Sequence, residues 1–280
     1  MCSRSQDDLG PIDLIQSANT VRAQNKASVT VSVVIHGQAL LFGQLLKDLA
    51  RYAAGSVAKV ILTVNIPEDL KLPGSLPFDV ELVHNAAPKG FGDNHNQAFS
   101  RVSTEFFAVL NPDLRLDCDP FPVLIERLAD PGVGIVAPRV LEPDGTVADS
   151  ARALVSPWEV LRRRLPFGRH RTPSRSGPAP DWIAGMFLVF RSPTYARLGG
   201  FDARYYLYCE DVDICARTRL LGLRIEFVTI VTVQHFAQRA SRRSIQRMRM
   251  HVVSLLRLWT SPVYRQYRRQ LGAEQQSGLH

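Results

Sequence analysis

VTVSVVI at residues 29–35 and ALLFGQLLKDLARYAA at residues 39–54 stand side by side as a strand and a helix. Branching at Cβ makes Val, Thr and Ile stiff, which suits a pleated strand. Leu41, Leu45, Leu49 and Tyr52 instead recur every three or four residues, the spacing that gathers side chains on one helical face. Outward from this pair the pattern repeats. KVILTV at 59–64, FDVELV at 78–83 and EFFAVL at 105–110 are short apolar runs, the last preceded by a helix-like segment near 94–102. Such alternation implies an α/β fold with a mostly parallel, Rossmann-like sheet flanked by helices. In sheets of that kind ligands bind beyond the carboxyl ends of the strands, so the polar residues there are the first candidates for function.

The middle of the chain is less regular. LEPDGTVADSAR at 141–152 turns at Pro143, Asp144 and Gly145, and PFGRHRTPSRSGPAPD at 166–181 has the composition of a loop. GMFLVFR at 185–191 reads as a buried strand, and 211–221 as a helix closed by Gly222. From Ser241 to Trp259 the stripe Ile245, Met248, Val252, Leu255 and Trp259, with arginines between, marks an amphipathic basic helix. The expected organisation is a leader at 1–27, a core at 28–238 whose halves meet at 115/116, and a basic helical extension at 239–280.

With 280 residues, of which 45% are apolar and 21% charged, the chain can bury a full core. Its four cysteines form no CxxC pair, which argues against a zinc module or a disulfide framework. The first residues lack the basic and apolar regions of a signal peptide, and no apolar run nears the roughly 20 residues of a membrane span, so a soluble or peripheral protein is expected. The formal charge of +8 is uneven: residues 239–269 hold nine arginines and no acid. That bias implies an anionic companion, whether nucleotide, lipid head group or nucleic acid.

Four motifs carry chemistry. Asn111-Pro112-Asp113 follows the strand EFFAVL, where Asp113 can hold a divalent cation against a diphosphate; the tripeptide also suits a plain turn. Glu210, Asp211 and Asp213 crowd a helix start, where negative charge is tolerated. One of them can take a proton from an alcohol, or all three can simply cap the helix. His235 ends a strand-like run and can complete a metal shell or fill a pocket. NAAPKGFGDNHN at 85–96 offers Gly90 and Gly92 for a tight turn or a close approach to ligand, and Asn85 and Asn96 as hydrogen-bonding groups. It is not a Walker loop.

In order and spacing, VSVVI, NAAPKGFGDNHN, NPD, GGFD at 199–202, YCEDVD at 208–213 and His235 resemble glycosyltransferase family 2 enzymes of the GT-A fold, in the rhamnosyltransferase-like branch of bacterial cell-surface polysaccharide synthesis. The resemblance spans residues 29–238. It implies an inverting, metal-dependent transferase with Mg2+ or Mn2+ at Asp113 and His235, Asp211 as base with Glu210 beside it, and Asn111, Asn85, Gly90, Gly92 and Asn96 on the donor. Trp182, Gly185 and Asp213 would face the acceptor. Two departures stand out: His36-Gly37-Gln38 replaces a Tyr-Asn type pair after the first strand, and Asn65 replaces an aspartate after the second. His36, Gln38 and Asn65 are the local substitutes for contacts to base and ribose.

The implied partners are a nucleotide sugar, dTDP-rhamnose before UDP-sugars, and a saccharide acceptor linked to polyprenyl diphosphate. The implied place is the cytoplasm or the inner face of its membrane, with the basic helix resting on anionic lipid or else packed on the domain or a second subunit, and no nucleic acid. Two alternatives remain at this stage. One is a catalytically degenerate scaffold that still binds nucleotide sugar; the other is a nucleic-acid binder using the arginine clusters.

Overall fold

The computed structural model describes residues 28–154, 156–157, 180–236 and 245–277. The expected leader at 1–27, most of the loop at 166–181 and the arginines of 237–244 lie outside the described residues. The elements run β1 (Val29–Ile35), α1 (Ala39–Tyr52), β2 (Val57–Val64), β3 (Asp79–His84), α2 (Phe91–Phe99), β4 (Phe106–Leu110), β5 (Leu114–Arg115) and α3 (Phe121–Leu128). Then follow β6 (Val133–Leu141), β7 (Ala151–Arg152), β8 (Trp182–Ile183), β9 (Phe187–Arg191), α4 (Ser192–Leu198), α5 (Glu210–Leu220), β10 (Arg224–His235), α6 (Ile245–Thr260) and α7 (Pro262–Ser277).

Eight strands form one sheet in the order β3-β2-β1-β4-β9-β6-β10-β5, and β7 and β8 pair apart from it. The β3-β2-β1-β4 half is wholly parallel, as the alternation of strand and helix requires. The other half is mixed. β9 runs antiparallel to both β4 and β6, and β5 antiparallel to β10. FLVFR was legible as a strand, but an apolar run buried on both faces carries no mark of its direction.

Alternation along the strands builds a layer on each face. Phe106, Ala108 and Leu110 of β4 join the core under α1 and α3, with Phe42, Leu45, Leu49, Phe121 and Leu124. Phe107 and Val109 point the other way, into an aromatic core with Tyr195, Phe201, Tyr205, Leu258 and Tyr264. The carboxyl-terminal segment therefore belongs to the second layer. The helix expected over 241–259 is α6, and α7 follows it: Ser261 caps α7, its hydroxyl accepting the Tyr264 N–H at 3.0 Å, and Pro262 comes next. Leu255 and Trp259 pack partly against that core, while Met248 and Val252 of the same expected stripe face solvent.

Candidate active site

Because β1, β2, β3 and β4 are parallel, their carboxyl ends deliver His36, Asn65, Asn85 and Asn111 to one rim of the sheet. His36, Asn65 and Asn85 form a continuous network. The Asn65 amide donates to His36 Nδ1 at 3.2 Å and to the Lys89 carbonyl at 3.0 Å, while its Oδ1 accepts the Lys89 N–H and the Asn85 amide, each at 2.8 Å. Asn65 thus clamps the loop before α2. Gln38 stands at the N-cap of α1 without a side-chain capping bond. The start of that helix is closed by Glu68, which the sequence reading missed: its two oxygens accept the Gly37 N–H at 2.9 Å and the Ala39 N–H at 2.7 Å.

Gly90 and Gly92 have a steric reason other than ligand approach. A Cβ on Gly90 would lie 2.7 Å from the Tyr206 carbonyl oxygen, and one on Gly92 2.5 Å from Phe201 Cβ. Both glycines admit the loop that leads to α5. Asn96 serves the same loop. Its Oδ1 accepts the Phe201 N–H at 2.9 Å and the Tyr195 hydroxyl at 2.8 Å, and its amide donates to the Phe201 carbonyl at 2.8 Å. Asn96 thus spends both acceptor positions and one amide hydrogen inside the protein, which leaves its second amide hydrogen for the expected donor contact. Beside it, His95 lies buried with Nδ1 2.8 Å from Ser32 Oγ, and burial holds its pKa down at about 3, which keeps the ring neutral.

Asp113 and His235 come together through the sheet. β5 pairs with the end of β10 in the register His235↔Leu114, and the Phe236 N–H donates to the Asp113 carbonyl at 2.8 Å. Asp48 of α1 steadies β5 by accepting the Arg115 guanidinium at 2.5 Å and the Leu116 N–H at 3.1 Å. Asp113 Oδ2 then lies 3.3 Å from His235 Nε2. Burial works against a charge on the His235 ring, but Asp113, with Glu142 behind it, prevails and lifts its pKa above the ordinary value.

This pair fits a divalent cation. Two ligands in adjacent positions of an octahedral Mg2+, each at about 2.1 Å, stand about 3 Å apart. Asp113 Oδ1 is moreover buried without a hydrogen-bond partner. Among the described residues no third acidic, histidine or cysteine side chain joins them, so a bound ion would draw its remaining ligands from a diphosphate and water.

The carboxylates of α5 reach the same rim by a short bridge. The Asn111 N–H donates to the Met186 carbonyl at 2.9 Å, and the neighbouring Gly185 N–H donates to Asp211 Oδ2 at 3.1 Å. β9 makes this possible: its antiparallel register sets Phe187 against Leu110, so the residues just before β9 arrive where β4 ends. Gly185 is therefore beside Asp211, and the group it offers is the backbone N–H. Trp182 is packed inward, its indole donating to the Ala153 carbonyl at 3.1 Å, with the Arg152 guanidinium 5.2 Å over its ring. Asp213 corrects the expectation of an acceptor-side role: only 1% of its side chain is exposed, and it pairs with Arg217 at 2.7 Å, away from Asp211.

Glu210 and Asp211 differ in their partners. Burial, then repulsion from Asp211, pushes the Glu210 carboxyl up to about 8, and its Oε2 has no partner. Burial raises Asp211 too, but the Gly185 and Val212 N–H groups and the charge of Arg152 favour its ionised form. Asp211 accepts two backbone N–H groups where Glu210 Oε2 has no partner, so of the pair a charge is better supported on Asp211. The loop before them is strained: Tyr208 and Cys209 take φ of 72° and 70°, left-handed values that disfavour side chains other than glycine. Arg152 left no motif in the sequence, only membership of an arginine-rich stretch.

Residues 63–197 match the model of the family described as glycosyl transferase family 2. The chain is 27% identical over 188 residues to rhamnosyltransferase WbbL of Escherichia coli, covering 60% of this chain and 69% of that protein. It is 25% identical over 194 residues to N-acetylglucosaminyl-diphospho-decaprenol L-rhamnosyltransferase of Mycobacterium tuberculosis, covering 59% of this chain and 61% of the relative. Among solved structures, that of GalNAc-T7 with UDP, GalNAc and Mn2+ superposes with a TM-score of 0.59 at 13% identity, covering 78% of this chain and 44% of that one. Likeness at that identity shows the fold, which is GT-A.

Proposed function

We propose that the chain, whose residues 63–197 match the glycosyl transferase family 2 model, transfers a sugar, with inversion, from a nucleoside diphosphate to an acceptor hydroxyl in cell-surface polysaccharide synthesis. The observation that carries this reading is the bridge from Asn111 through Met186 and Gly185 to Asp211, which links the end of β4, two residues before Asp113, to the Asp211 carboxyl. Asp211 takes the proton from the acceptor hydroxyl. The freed oxygen forms a bond to the anomeric carbon as the bond from that carbon to the diphosphate oxygen breaks, and the electron pair leaves with the diphosphate. A single displacement needs one ionised carboxylate, and Glu210, which retains its proton, does not compete as a nucleophile. A divalent cation, Mg2+ or Mn2+, held by Asp113 and His235 would offset the charge gathering on the leaving group.

The donor we favour is dTDP-rhamnose, in keeping with the two rhamnosyltransferase relatives, and the acceptor a saccharide on polyprenyl diphosphate, as in the name of the M. tuberculosis relative. His36, Gln38 and Asn65 line the rim where base and ribose would lie. A thermal-shift screen of nucleotide sugars with and without Mn2+ identifies the donor. Against that donor, Asp113→Ala should weaken metal-dependent binding, and Asp211→Asn should abolish transfer while leaving binding intact. Full turnover by Asp211→Asn would remove the proposed base.

A further inference from the structure

Helix α6 has two faces with different tasks. Inward, Ser254 and Leu258 are each 3% exposed, and the Ser254 hydroxyl donates to the Leu207 carbonyl at 2.8 Å. The His251 ring meets Tyr208 edge-on at 5.0 Å, and the Arg257 guanidinium lies 6.0 Å over Tyr205. All three contacts fall on the strained loop before Glu210, so α6 is fixed to the protein along this side.

Outward, Met248, Val252 and Leu256 follow one another at four-residue spacing with Val253 beside them, exposed by 63%, 41%, 55% and 53%. Eleven large apolar side chains are exposed among the described residues, and four of them sit on this one helix. Arg247 and Arg249 of the same helix are exposed, as are Arg265, Arg268 and Arg269 of α7. Between Glu226 and Glu274 the chain has no acidic residue.

We propose that the outer face of α6 is a docking surface for a membrane rich in anionic lipid, with Met248, Val252, Val253 and Leu256 entering the head-group boundary and the arginines meeting lipid phosphates. No described helix is long and apolar enough to cross a membrane, so α6 lies along it. A second copy of the chain is a poor occupant. A twofold contact would set this arginine-rich face against itself, and four side chains fall well short of the about 800 Å² per partner of a stable interface. Unlike an unfolded basic segment, α6 is already held by its inner face and loses little freedom on docking. Its link to the Tyr205–Cys209 loop means that docking also orients the Asp211 rim toward the bilayer, a consequence that rests on the transferase reading.

Vesicle flotation of the full chain tests the surface with no sugar donor present, so its outcome is independent of transfer. The protein should float with phosphatidylcholine vesicles containing phosphatidylglycerol and stay behind with phosphatidylcholine alone. Met248→Ser combined with Val252→Ser and Leu256→Ser should lower the apparent affinity at least about tenfold, as should Arg249→Glu with Arg268→Glu, both with unchanged melting temperatures. The charge variant alone suffices if the serine variant melts early. Flotation of either well-folded variant at the wild-type level overturns the proposal. So does failure of the wild type to float, or a dimer of the wild type that the serine substitutions dissolve.

Discussion

Glu210→Gln separates the two neighbouring carboxyls. Glu210 is 5% exposed, and its pKa stands near 8 in place of the ordinary 4.5. A folded-state value above the unfolded one favours the protonated form, so the associated stability is complete below pH 4.5 and is lost as pH rises through about 8. At about 1.4 kcal/mol for each tenfold change in proton affinity, the ceiling on that loss is about 5 kcal/mol, and reorientation of the carboxylate toward water would leave about 2 kcal/mol. Glutamine has the shape and charge of the protonated acid and does not titrate. The variant should therefore match the wild type near pH 5 and exceed it by about 2 kcal/mol at pH 9, where the wild type carries a buried charge. Urea unfolding across that pH range measures the difference. It should also keep most of its activity at neutral pH, because the residue it imitates is already neutral there. Parallel stability curves for the two proteins, or loss of turnover equal to that of Asp211→Asn, would refute the placement of the proton on Glu210.

Two further substitutions probe the surroundings. Asn96→Ala removes the three hydrogen bonds to Phe201 and Tyr195 and should cost about 2–3 kcal/mol in thermal unfolding while donor affinity persists; weaker donor binding with no stability loss would return Asn96 to a ligand role. Arg152→Gln withdraws a positive charge that favours ionised Asp211, so the acid limb of the kcat/KM profile should move to higher pH, with Arg152→Lys restoring it in part. An unmoved limb would place Arg152 outside the reach of the base.

The sequence made the β1–α1 pair, the parallel half of the sheet and the strand-end positions of Asp113 and His235 legible, because each depends on local periodicity or on what directly follows a strand. Direction within the sheet is another matter. Side-chain alternation distinguishes faces but not the two ways a strand can run, so β9 and the Gly185 bridge that it delivers could only be seen in three dimensions. The same holds for Gly90, Gly92 and Asn96. Their neighbours are Phe201 and Tyr206, more than a hundred residues away, and nothing nearby tells a packing glycine from one that approaches a phosphate. The end of α6 was legible where its apolar stripe stops at Trp259, and the Ser261–Pro262 pair carries the capping chemistry that starts α7.

The reversed course of β9 has a corollary for changes of length. The stretch from residue 142 to residue 184 leaves the sheet after β6 and returns at β9, with both ends held by the ladder. Gly185 follows its far end, while Arg152, whose charge favours ionised Asp211, lies within it, so the excursion carries one support of the carboxylate and delivers the other. β7 and β8 pair with each other, so a change of length between them would leave both supports of Asp211 in place.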